Sequence, residues 1–124
     1  MKDPSNPSAP ASVNLAELLA RVENDRELLC DLLSIFKDEF PGHIKSLEDA
    51  VDRKDAVKIA SVSHTLKGML SNLAVSKAAS SAARLEHLAR AGETASFREA
   101  FASFQQDVHG LLPEMESYMV EART

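Results

Sequence analysis

Between Leu29 and Val51 the apolar residues Leu29, Leu33, Phe36, Phe40, Ile44, Leu47 and Val51 recur in steps of 4, 3, 4, 4, 3 and 4. Only an amphipathic helix places such a series on one face. Pro41-Gly42 falls inside the series, and proline normally ends or kinks a helix by removing one backbone hydrogen bond. The apolar phase nevertheless runs on across it. The pattern therefore predicts one long bent helix over about 25–52, with a break at Pro41 as the alternative. Asn24 followed by Glu27 resembles a capping box at its start.

The rest of the chain reads the same way. Asn14 is placed to cap a short helix ending near Arg21. A third helix is predicted from about Asp55 to Asn72, with Ile59, Val62 or Ser63, Leu66, Leu70 and Leu73 inward. A fourth runs from about Ser76 to Ala91 and stops at Gly92. Its inward row, Ala78, Ala82, Leu85 and Ala89, is small enough for a neighbouring helix to come close. The last helix opens near Thr94 or Ser96, where Ser96 and Glu99 again resemble a capping box. It carries Phe97, Phe101, Phe104, Val108, Leu111, Met115 and Tyr118, with a bend expected near Gly110 and Pro113. No segment alternates with period two, so no sheet is predicted. Four amphipathic helices with short connections make an all-α, antiparallel up-down-up-down four-helix bundle, with a short additional N-terminal helix.

This domain is assigned to residues 13–122. Residues 1–12 hold Pro4, Pro7 and Pro10 with three serines, and read as a flexible linker or appended tail of a domain cut from a longer chain. The net charge of -5, with no run of Lys and Arg, argues against a nucleic-acid partner. No apolar stretch approaches the roughly 20 residues that span a bilayer, and no secretory signal opens the chain. The single cysteine, Cys30, cannot pair internally and suits a reducing, cytoplasmic setting. Within LLCDLL it reads as a buried, inert residue. One bundle buries each apolar stripe, so a monomer is expected.

The informative segment is residues 61–74, SVSHTLKGMLSNLA. On a helical wheel His64 lies about 200° from Leu66 and points outward. Lys67 and Gly68 follow at i+3 and i+4 on the same face, with Ala60 and Ser61 one turn before and Ser71 one turn after. An imidazole is nucleophilic near neutral pH. Lys67 could donate a charge-assisted hydrogen bond to a phosphoryl group carried on it. Gly68 in mid-helix costs about 1 kcal/mol relative to alanine, and close approach by a partner would explain it. From these residues alone two readings stand: a phosphoacceptor histidine, or a solvated histidine beside a solvated lysine.

HTLKG, set in SHTLKGMLSNLA, closely resembles the signature of histidine phosphotransfer (HPt) domains. The resemblance covers about residues 14–120, including helix order, the Phe-Pro near the middle of the second helix, and LEHLARAG closing the fourth. It implies that His64 is the phosphorylated histidine, Lys67 the phosphate-supporting lysine and Gly68 the clearance glycine. It also implies a carrier rather than an enzyme, with no cofactor of its own. Such a carrier exchanges phosphate with aspartates of receiver domains that supply Mg²⁺, often as a module of a hybrid sensor histidine kinase. One departure is Ala74, which follows Asn72-Leu73 where the family often has glycine.

A receiver must dock around His64. The expected surface is the first helix and the N-terminal half of the second, with Leu28, Leu32 and Ile35 partly exposed; the bland reading packs them beneath the first helix. His43, His87 and His109 have no histidine at i+3 or i+4, so no helical zinc pair is expected. Two other functions compete. One is the phosphorylated domain of a chemotaxis-type histidine kinase, which has a similar motif. The other is a non-catalytic helical interaction module, in which Lys67 would be buried or salt-bridged in the ordinary way.

Overall fold

The structure, a computed structural model, describes residues 13–123. The assignment of residues 1–12 as a tail lies outside the described residues. Six α-helices follow in order: α1 (Leu15–Arg21), α2 (Arg26–Asp52), α3 (Ala56–Asn72), α4 (Ser76–Arg90), α5 (Phe97–Val108) and α6 (Leu111–Arg123). No strand occurs among the described residues.

The starts of the first three helices follow capping chemistry. The side-chain oxygen of Asn14 accepts the Glu17 N–H at 3.0 Å, and that of Asp55 accepts the Lys58 N–H at 3.1 Å. At α2 the expected Asn24 cap is corrected: Asp25 is the N-cap and accepts the Leu28 N–H at 3.0 Å. Asn24 instead takes φ 63 in the turn, a left-handed conformation that asparagine tolerates. α2 is continuous through Pro41, so the alternative of a break is excluded. Pro41 and Gly42 both lie on its exposed side.

The expected single last helix is also corrected. A 3₁₀ turn at Thr94–Ser96 precedes α5, and Ser96 makes no side-chain cap. The chain then breaks at His109-Gly110 rather than bending. Gly110 has φ 79, and Pro113 falls in the first turn of α6, where a missing N–H removes no intrahelical bond.

α2 packs against α3 and against both α5 and α6, α3 against α4, and α4 against α5. The split α5–α6 arm is therefore the fourth member of an antiparallel up-down-up-down bundle, with α1 added at its N-terminal side. The predicted apolar rows form the core. Leu33, Leu47, Ile59, Leu66, Leu70, Leu85, Phe104, Leu111 and Met115 are completely buried, while Ile44, Val108 and Tyr118 are half-buried. Phe36 and Phe40 stack at 4.6 Å. Cys30 is only partly covered, its Sγ 3.9 Å from the Met119 carbonyl oxygen. α1 is tied down by Arg21, whose Nη1 donates to the carbonyls of Ser71 (2.9 Å) and Asn72 (3.1 Å) at the end of α3. Tyr118 donates its hydroxyl to the Val13 carbonyl at 3.2 Å; burial first, then the nearby Glu114 carboxylate, pushes its pKa up.

The connections share one turn geometry. After α2, α3 and α4, a residue at positive φ is followed by an N–H that reaches back to close the helix: Asp55 to Ala50, Val75 to Leu70, and Glu93 to Leu88. Gly92 serves α4 at φ 70, but Lys54 (φ 54) and Ala74 (φ 58) serve the other two. Ala74, the departure from the HPt pattern, thus occupies the conformation where glycine is unstrained. A left-handed non-glycine residue costs roughly 1–2 kcal/mol, offset in part by the greater unfolded-state freedom of glycine. Lys54→Gly should therefore raise stability by about 0.5–1 kcal/mol. Gly92→Ala should lower it by a similar amount, although a Cβ there meets nothing within 4 Å. Denaturant melts of the two variants check both signs.

Candidate functional site

α3 and α4 form the most extensive helix pair in the bundle. The face of α4 that meets its neighbours is lined by Ala78, Ala79, Ala82, Leu85, Glu86 and Ala89, all buried. Glu86 is the exception in chemistry. Its Oε2 lies 3.0 Å from Nδ1 of His64 and accepts from Arg90 Nη2 at 2.7 Å; its Oε1 accepts from Lys67 Nζ at 2.7 Å. Donation by Lys67 is the largest cause holding the Glu86 pKa below the usual 4.5, assisted by His64 and Arg90 and opposed by burial. The carboxylate is therefore charged at neutral pH.

The consequence for His64 is geometric. Its side chain is 63% exposed. A carboxylate can only accept, so the ring must donate through Nδ1–H. In the neutral imidazole this leaves Nε2 with its lone pair, outside that hydrogen bond. The arrangement can carry an electrophile on Nε2 while the ring is held from behind.

Lys67, 36% exposed, shares this carboxylate with the ring, so the two side chains converge. Gly68 is exposed, and a Cβ built on it meets nothing within 4 Å. Nothing in the packing of this chain thus requires glycine there. Ser61 and Ser71 are exposed and Ala60 is half-buried. Leu28, Leu32 and Ile35 are 42%, 40% and 55% exposed, so α1 does not cover them. Leu32 and Ile35 line a shallow, mainly apolar cleft with Phe36, Glu39, Met69 and Leu73, one residue along from Gly68.

The sequence model of the family described as Hpt domain matches residues 31–118. This chain belongs to the Hpt domain family. No match was found among curated proteins or among solved structures. The matched span runs from α2 into α6 of this Hpt domain and takes in His64, Lys67, Gly68, Glu86 and Arg90. Membership gives the chain a histidine phosphotransfer role in phosphorelays, exercised with receiver domains. No described helix is long and apolar enough to cross a membrane.

Glu86 and Arg90 are the residues that sequence reasoning passed over. The signal was present: Glu86 stands one turn after the inward Ala82 and beside Leu85, a carboxylate on the packed face of a helix of alanines. A carboxylate so placed needs a partner on the facing helix.

Two predictions follow from this geometry. Gly68→Ala should stabilise the fold by up to about 1 kcal/mol through helix propensity alone, as should Gly42→Ala on the exposed side of α2. Only the change at position 68 should slow phosphotransfer with a receiver, by tenfold or more; equal kinetics for the two variants would remove the clearance role of Gly68. The second concerns acid. Because the folded pKa of Glu86 is lowered, the stability it contributes is fully present above about pH 4.5 and is lost as pH falls through the lower folded value. Glu86→Gln should be less stable than wild type at pH 7, and the two should converge below pH 4.5 in denaturant titrations.

Proposed function

We propose that this domain is a phosphorelay carrier: His64 accepts a phosphoryl group from a receiver-domain aspartate and passes it to another receiver. The supporting observation is the exposed ring whose Nδ1 is held by Glu86 and whose Nε2 is left open. The Nε2 lone pair forms a bond to phosphorus, the P–O bond to the aspartate breaks, and the aspartate carboxylate leaves with the electron pair. Lys67, one helical turn away, moves from Glu86 to the incoming phosphoryl oxygens as a charge-assisted donor. Phosphoryl transfer depends mainly on positioning and charge, and the receiver supplies the rest, including Mg²⁺.

The plain interaction module requires Lys67 to be in an ordinary salt bridge, and Lys67 is in one. What favours the carrier is that the same carboxylate also orients the imidazole, inside the span matched by the family. The exposed Leu28, Leu32 and Ile35, with Met69 in the adjoining cleft, are the proposed docking face for the receiver. A cytoplasmic, monomeric module of a hybrid sensor kinase fits this role, with Ser61, Ser71 and Ala60 as the small residues around the acceptor.

Incubation with a panel of phosphorylated receiver domains and Mg²⁺ tests the reading. Acid-labile phosphate should appear on the domain, His64→Gln should abolish it without unfolding the bundle, and Lys67→Ala should slow transfer. Phosphate persisting on the His64→Gln variant would overturn the assignment.

A further inference from the structure

A carboxylate is a costly neighbour for a phosphoryl dianion. If Glu86 only oriented the ring, an amide would serve as well, because its oxygen also accepts from Nδ1–H and carries no charge to repel phosphate. Yet Glu86 is a carboxylate, 6% exposed, with three donors gathered on it.

Building on the carrier reading, we infer that Glu86 is a positioning residue that keeps the Nδ1 proton on the ring after phosphorylation, so that the phosphoryl group stays ready to leave. When Nε2 bonds to phosphorus, no group removes the Nδ1 proton, and the ring becomes cationic. In the onward step a receiver aspartate oxygen attacks phosphorus, the N–P bond breaks, and its electron pair returns to Nε2. With the Nδ1 proton in place, the ring departs as neutral imidazole. Without it, the ring must depart as an imidazolate anion, a far poorer leaving group.

The charged groups at the ring are Lys67 on α3 and Glu86 and Arg90 on α4. Glu86, 3.0 Å from Nδ1, favours the cationic ring. The two cations oppose it, but both lie on the Glu86 carboxylate at 2.7 Å and both can turn to the phosphoryl oxygens. The phosphoryl group thus neutralises the cations and leaves the carboxylate facing the ring. The cluster shortens the life of the phosphorylated state in exchange for ready transfer.

Wild type and Glu86→Gln can be phosphorylated chemically with phosphoramidate, with His64→Gln subtracting phosphate on the other histidines. Loss of the N–P bond is then followed by ³¹P NMR across the pH range. The fast-loss plateau of wild type should extend at least about one pH unit further into alkali than that of Glu86→Gln, leaving the variant roughly tenfold longer-lived on the alkaline side. Superimposable profiles would overturn this inference and leave the carrier reading intact. Failure of wild type to exchange phosphate with any receiver of the panel would overturn both. If the variant unfolds, a phosphorylated peptide of residues 60–68 becomes the reference. A wild-type plateau extending no further than the peptide's would overturn the inference equally.

Discussion

The close packing of α3 on α4 is the constraint from which the site follows. Alanines on the inner face of α4 leave little side-chain volume between the helices, so a glutamate on that face reaches across to α3. Buried at the seam, its carboxylate had to find donors. It found His64 and Lys67 on α3 and Arg90 one turn along α4. Orientation of the imidazole is therefore a by-product of satisfying a buried charge. The tautomer that frees Nε2 is dictated by an acceptor that has no proton to give.

The cluster also sets the charge around the resting ring. Two cations close to an exposed imidazole would repel its protonated form and attract stray anions. Both are held on one carboxylate, which offsets part of their charge and fixes where they point. In the salt bridges at Lys67 and Arg90 only the cation end is exposed; the Glu86 end is buried. The cation ends can therefore rearrange on the solvent side while Glu86 keeps the hydrogen bond from Nδ1. A fully buried lysine pair would have locked the site, because breaking it strands a charge.

Several features around the site run against stability and have no explanation inside the domain. Gly68 interrupts a helix without any steric need, and Leu28, Leu32 and Ile35 face solvent on the neighbouring stretch of α2. Both make sense for a face that meets another protein. Lys54 and Ala74 are different: they are strained turn residues remote from that logic, held because the N–H that follows each one closes the preceding helix. Position 74 shows that the turn does not depend on glycine, since the backbone bonds from Ala74 and Val75 back into α3 form regardless.

Helix order and inward faces were legible in the residues alone, though not the division of the last arm into two helices, because hydrophobic periodicity is a local property repeated over many positions and burial rewards each repeat. The outward placement of His64, Lys67 and Gly68 followed from the same arithmetic. End positions were less legible. The choice of Asp25 over Asn24 as cap, and the break rather than bend at His109-Gly110, depend on which backbone angles the neighbouring helices permit. The partnership of Glu86 with His64 could not be read from the chain. The two residues are 22 apart in sequence, and only the distance between two packed helices decides whether a carboxylate on one meets a ring nitrogen on the other.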